Sequence, residues 1–246
     1  MTQPASPYCF ARRPNSPSWM IGPPTSPDAD ADDLDALAAL EAAAWTDFYR
    51  LGRKALAHLA RHPIAPTDDD RRTLTEAETP TAECLRLCVV ARLWGETFEP
   101  EPAVQPGVEL FARCGPLRGL IWLDITRDGL AGPRSFGAVQ VVRLTVGPRD
   151  PLAGHLINAL LAFAAEIPRQ FVPPDWPAPT GPRPVSAFLP QEPQPTELHA
   201  PLLDLGFSPM SVTNDAYGEG RPGVFYVHPN GLAGQLVAHI QGDDAP

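Results

Sequence analysis

Residues 141–166 read VVRLTVGPRDPLAGHLINALLAFAAE, and the two halves of this stretch obey different periods. The first six positions extend an apolar, β-branched run that begins near Phe136, which predicts a strand over Phe136–Val146. Gly147, Pro148 and Pro151 interrupt it. Beyond them Leu156, Ile157, Leu160, Leu161, Phe163 and Ala164 cover most of a helical surface, predicting a helix over Leu152–Ile167 that Pro168 ends. A helix so broadly apolar must be buried against a sheet. The segment therefore reads as a strand, a tight connection and a helix folded back onto the sheet.

Upstream, Val108–Cys114 and Leu117–Thr126 are rich in Val, Ile, Leu and aromatics. Gly115-Pro116 and Asp128–Pro133 set these runs apart, which gives three consecutive strands with Phe136–Val146. Thr81–Trp94 places Leu85, Val89 and Leu93 at helical spacing and predicts a helix, after a polar loop over 64–80. From Asp28 to His62, Leu34, Leu37, Leu40 and Ala44 repeat at helical spacing, continued by Phe48, Leu51, Leu56 and Leu59. The acidic run Asp28–Asp33 favours the N-terminus of that helix, Pro63 closes it, and Gly52 divides it in two. Trp19–Ile21 is a short strand, and residues 1–18 form a flexible Pro-rich tail. Downstream come the proline-rich loop 171–184, a strand at Val185–Leu189 and a short helix at Thr196–Leu205 ending in Gly206-Phe207. Strands at Met210–Asn214 and Val224–His228 and a polar tail over 231–246 complete the chain. Consecutive strands flanked by helices imply one α/β (α+β mixed) domain over 19–230, a mixed, mostly antiparallel sheet with helices on both faces.

The 246 residues carry a net charge of −10, which argues against a nucleic-acid surface or an anionic membrane as partner. No apolar stretch approaches the roughly 20 residues that span a bilayer. The N-terminus lacks the basic region and apolar run of a signal peptide, and four scattered cysteines make no disulfide framework. The expectation is a soluble cytoplasmic protein.

Local clusters have ordinary explanations. His58 and His62 are four apart on a predicted helix, a spacing that suits a metal, but no nearby Glu or Cys completes a ligand set. Cys84 and Cys88 lack CxxC spacing and read as helical core. The acidic runs Asp28–Asp33 and Asp68–Asp70 read as helix-start charge and solvated loop, so no metal site is assigned. No GxSxG, Walker or GxGxxG motif is present.

The order of elements resembles the GNAT (Gcn5-related N-acetyltransferase) superfamily, as a divergent member. WMIGPPTSPDADADDLDALAALEAAAW (Trp19–Trp45) is similar to the family's first strand and helix, and VELFARCGPLRGLIWLDITRDG (Val108–Gly129) to its strand hairpin. VVRLTVGPRDPLAGHLINALLAFAAE (Val141–Glu166) is similar to the strand, loop and helix that hold acyl-CoA, and LLDLGFSPMSV (Leu202–Val212) to its C-terminal turn.

The resemblance implies a GNAT-like sheet and an N-acyltransferase that moves an acetyl group from acetyl-CoA to a small-molecule or peptide amine. It implies that Arg143–Val146 splay from Val185–Leu189, leaving backbone groups to pair with the pantetheine arm. It assigns Leu144, Thr145, Val146, Arg149, Ala153, Gly154, His155 and Leu156 to the acyl-CoA site. Trp45 and Tyr49 would border the acceptor pocket, with a core role for Trp45 and Phe48 as the competing expectation. The loop departs from the family's pattern: Gly154 keeps the first glycine, Leu156 replaces the second, and Pro151 replaces a basic residue. A leucine side chain and a proline without an N–H work against a phosphate cradle, while Arg149 and His155 supply positive charge. Leu202 stands where many members have a catalytic tyrosine and Pro195 where they have an asparagine, so no catalytic residue is assigned. The resemblance also fits a GNAT-like domain that has lost catalysis and binds a ligand or partner protein. It further implies pairing through the C-terminal strand Val224–His228 into a homodimer.

Overall fold

The computed structural model describes residues 8–10, 18–24, 31–62, 64–66, 84–94, 115–127, 139–148, 150–172, 176, 185–191 and 198–228. In chain order the strands are β1 (Tyr8–Phe10), β2 (Ser18–Gly22), β3 (Ile64–Pro66), β4 (Cys84–Trp94), β5 (Leu117–Thr126), β6 (Val139–Val146), β7 (Val185–Pro190), β8 (Ser208–Thr213) and β9 (Gly223–Val227). The helices are α1 (Ala31–Ala44), α2 (Arg53–Arg61), α3 (Ala153–Glu166) and α4 (His199–Asp204). The strands make a nine-stranded sheet in the order β1-β2-β4-β5-β6-β7-β9-β8, with β3 on the same edge of β4 as β2. Every pairing is antiparallel except β6 with β7, the two strands that α3 connects.

The sheet is covered on both faces. Leu156, Ile157 and Ala159–Ala165 of α3 are buried against Leu87, Val89, Ile121, Leu123, Val139 and Val141. Gly119 lets α3 approach closely, since a Cβ there would lie 3.0 Å from a methyl of Leu156. On the opposite face Leu37 and Leu40 of α1 and Leu56 and Leu59 of α2 cover Cys88, Val90 and Leu120. Helix α4 ends on Gly206 at φ +86°, where Gly206 N–H donates to Leu203 and Phe207 N–H to Leu202. A glycine accepts that left-handed turn without steric cost.

Several sequence expectations need correction. Cys84–Trp94 is a central strand, not a helix. Residues four apart share a face in a helix and in a strand alike, so Leu85, Val89 and Leu93 satisfy both periods. Leu87 and Ala91 lie on that same face, while Cys88 and Val90 are buried on the other. Burial on both faces removes the polar alternation that identifies a strand. Cys88 is accordingly sheet core, and burial together with the nearby Glu41 charge pushes its thiol pKa far up. Ile64–Pro66, read as loop, is a strand, and Tyr8–Phe10, within the stretch read as tail, pairs with β2. Strand β9 lies between β7 and β8, so the sheet's edge is β8 and not Val224–His228. The expected strand Val108–Cys114 lies outside the described residues, as does most of the proline-rich loop, though its Trp176 is buried in the core. The break near Gly52 holds, with Gly52 capping α2. No described helix is long and apolar enough to cross a membrane.

Candidate functional site

Strands β6 and β7 stay in register only from Val139 with Val185 to Val141 with Ala187. Beyond that point β6 continues alongside β5, its one partner among the described residues, pairing Arg143 with Trp122, Leu144 with Ile121 and Thr145 with Leu120. The register shift between Trp122 and Leu123 leaves Val142 as an extra residue on β6. Such a bulge turns a strand and sharpens its twist. It also resets the alternation. Val139, Val141, Leu144 and Val146 face α3, whereas Arg143 and Thr145 face α1.

The β7 side of this gap follows from alternation. Gln191 N–H donates to Pro222 C=O at 2.9 Å, next to the Pro190–Gly223 pair. Leu189 and Ala187 therefore also bond toward β9, and the backbone groups of Phe188 and Pro190 turn toward β6. Side chains meet both carbonyls. Tyr217 O–H donates to Phe188 C=O at 3.2 Å, and His199 Nε2 lies 3.1 Å from Pro190 C=O. A carbonyl only accepts, so Nε2 carries a proton there, and Nδ1 lies within hydrogen-bond reach of Tyr226 O–H. Burial raises the Tyr226 phenol pKa, which keeps it a donor.

The α1 side of the gap is held by an ionic network. Glu41, fully buried, accepts from both Arg143 Nε and Arg143 Nη2, from Thr145 Oγ1 at 2.7 Å and from Leu51 N–H at 3.1 Å. Trp45 Nε1 donates to Thr145 Oγ1 at 2.8 Å, and the Arg143 guanidinium stacks over the Trp45 ring. Arg143 also donates to Tyr49 C=O at 2.8 Å. These contacts fix the turn after α1 against β6. The Tyr49 ring meets Tyr217 edge-on at 5.6 Å between centroids, and Tyr217 stacks on Phe188 at 5.8 Å. Gly223 makes room for that stack, because a Cβ there would lie 2.5 Å from the Phe188 ring. Burial pushes the Tyr217 phenol up to about 12, with the Arg143 charge opposing.

The far end of the gap is the head of α3. There Asp150 Oδ1 accepts Leu152 N–H at 2.9 Å, and Asp150 Oδ2 pairs with Arg118 at 3.2 Å. The Asp150 side chain is 5% exposed. Ala153 N–H donates to Asp150 C=O and Leu156 N–H to Leu152 C=O.

The structure thus gathers the expected residues selectively. Leu144, Thr145 and Val146 lie along β6, but their side chains serve the core or the Glu41 network, so only their backbone faces the gap. Gly154 and His155 are exposed in the first turn of α3, beside the half-buried Ala153. Leu156 does not crowd that turn as expected: its side chain is fully buried toward Gly119. Arg149 and Pro195 lie outside the described residues. Trp45 and Tyr49 are buried beside Arg143, whereas Phe48, expected as core, is 52% exposed under the Arg221 guanidinium. Leu202 is core, and the ring that meets the gap from α4 is His199, three residues earlier. His58 on α2 and His62 just past its end are exposed, and no group of three metal-type side chains forms among the described residues. No motif in the sequence singles out Glu41, Asp150, Phe188 or His199, or places Tyr217 or Tyr226 beside the gap. One signal was available, since Glu41 interrupts the apolar stripe of α1 and Arg143 an apolar strand.

A parallel pair that parts half-way, joined by a helix whose N-terminus faces the opening, decides the architecture. The fold is GNAT-like. No family model and no curated protein matches the chain. Solved structures of similar fold include Mycobacterium smegmatis RimJ in complex with CoA-disulfide, 14% identical over 97% of this chain and 96% of that one, with a TM-score of 0.47. Another is the GNAT-like decarboxylase GphF in complex with isobutyryl-CoA, 17% identical over 83% and 97%, TM-score 0.42. The Escherichia coli ribosomal-protein-S18-alanine N-acetyltransferase is 11% identical over 85% and 92%, TM-score 0.42. These are likenesses of fold only.

Proposed function

We propose that this protein is an N-acyltransferase that holds an acyl thioester between β6 and β7 and passes the acyl group to an amine. The observation that carries this is the end of β6–β7 pairing at Val141 and Ala187, which leaves the backbone edge of Arg143–Thr145 with no strand across from it among the described residues. An amide-bearing pantetheine arm is a chain that can pair with such an edge.

A thioester supplies an acyl carbon to which the amine nitrogen bonds as the C–S bond breaks, giving an amide and a free thiol. Tyr217, at the apex, stays protonated because burial lifts its pKa to about 12. Its O–H, which donates to Phe188 C=O in the free site, would turn from that carbonyl to the reacting group. There it would serve as a hydrogen-bond donor rather than a proton source, since full transfer to a thiolate of ordinary pKa about 8.5 runs uphill roughly a thousandfold. Glu41 holds Arg143, and through it the Tyr49 carbonyl, so the wall beside the apex is rigid. The amine approaches from the side of Trp45, Tyr49 and Tyr217, and its proton passes to water.

Acetyl-CoA fits this site in part. The strand edge suits its pantetheine arm, but the head of α3 holds a carboxylate where a diphosphate would sit. Calorimetry with S-acetyl-pantetheine and with acetyl-CoA tests the proposal, followed by thiol release against a panel of amines. Binding of either thioester and amine-dependent release are expected. No binding of either at millimolar concentration overturns it.

A further inference from the structure

We infer that Asp150 makes the β6–β7 gap selective for an acyl thioester on a neutral pantetheine-type arm, and discriminates against the diphosphate of coenzyme A. The inference presupposes that the gap holds a thioester arm, as proposed above.

A diphosphate at a helix N-terminus needs a row of free backbone N–H groups and a positive local field. Neither is available here in the usual measure. Between 151 and 156, Pro151 has no N–H, and those of Leu152, Ala153 and Leu156 already have acceptors. Only Gly154 and His155 keep amides that the helix itself cannot satisfy. The acceptor on Leu152 is a carboxylate of this same chain. It is nearly buried and is held from behind by Arg118. The end of α3 thus already carries an anion, and Arg118, which would otherwise attract another, pairs with it through Nη1, its buried Nε having no partner among the described residues.

The β7 side of the gap shows no such obstacle. Its polar groups are carbonyls, the Tyr217 hydroxyl and the His199 imidazole, which suit amides and a thioester. A donor whose arm stops short of the diphosphate gains the pairing along β6 and avoids the carboxylate. The acceptor amine is not involved in this choice.

The test compares S-acetyl-pantetheine with acetyl-CoA by calorimetry on the full chain and on two variants. In the unaltered protein S-acetyl-pantetheine should bind at least as tightly as acetyl-CoA. Asp150→Asn keeps an acceptor for Leu152 N–H and frees the Arg118 charge, so acetyl-CoA should tighten about tenfold while S-acetyl-pantetheine stays unchanged. Arg118→Gln leaves Asp150 unpaired and should weaken acetyl-CoA alone, which reads the same effect if the Asn variant folds poorly. Acetyl-CoA binding tenfold or more tighter than S-acetyl-pantetheine in the unaltered protein, about 1.4 kcal/mol, overturns the inference and leaves the thioester site standing. So does an Asp150→Asn variant whose acetyl-CoA affinity is unchanged or lower. If neither thioester binds any of the three proteins, the thioester site itself is wrong and the inference falls with it.

Discussion

Glu41 of α1 and Arg143 of β6, 102 residues apart, form a two-point ion pair in which the glutamate side chain has no exposed surface. A buried pair like this gives little net stability over apolar residues of the same size, but losing one partner strands the other charge. Glu41→Ala would also orphan Leu51 N–H and leave the Thr145 hydroxyl without its acceptor. The expected loss is about 3–5 kcal/mol of unfolding free energy, read by urea denaturation. A loss below about 1 kcal/mol, the range of an exposed pair, would show that Arg143 finds water instead.

Tyr217 touches both walls of the gap, through Phe188 C=O and the Tyr49 ring. Tyr217→Phe keeps the ring stack and removes only the hydroxyl. Amine-dependent thiol release should fall about a hundredfold in kcat with KM little changed, the size expected for one donor aimed at developing charge. If kcat holds and KM rises, Tyr217 is a wall and not a donor.

His228 should make stability depend on pH. It is 3% exposed, packed on Phe207 and under Gly206, with Leu205 as its backbone partner and, among the described residues, no partner for Nδ1. Burial lowers its pKa, against a smaller opposing effect from the Leu205 hydrogen bond. The folded state then resists a proton that the unfolded chain accepts near pH 6.5, so stability is full above about that value and falls as the pH drops through it. The loss stops growing once the folded imidazole is itself protonated. His228→Gln keeps a donor for Leu205 and cannot titrate. Thermal midpoints of the two proteins should diverge between roughly pH 7.5 and 5.5, with the unaltered protein falling further. Parallel curves would mean that His228 charges freely in the folded state.

The sequence made some of this legible and hid the rest for identifiable reasons. Strand β5 and helix α3 were predicted nearly to their ends, because Gly115-Pro116 and Pro168 bound them and their periods are unmixed. Strand β4 was misread because burial on both faces erases alternation, and its leucines satisfy two periods at once. The parting of β6 from β7 was implied by the resemblance to the GNAT superfamily, not by the residues of the two strands themselves. The occupant of the α3 head was not implied, because Asp150 bends back to an amide two residues on, although Asp150-Pro151 is a turn-forming pair that could have hinted at it. The apex was invisible for a different reason. Tyr217 and Tyr49 are far apart in sequence, and only the β8–β9 hairpin brings them together.

The central claim is that β6 beyond Val141, where its pairing with β7 ends, receives a thioester arm, and amide hydrogen exchange tests it most directly. Adding S-acetyl-pantetheine should slow exchange in peptides covering Arg143–Val146 and leave those covering the fully paired β4 unchanged. Exchange over Arg143–Val146 that is the same with and without saturating thioester would contradict it.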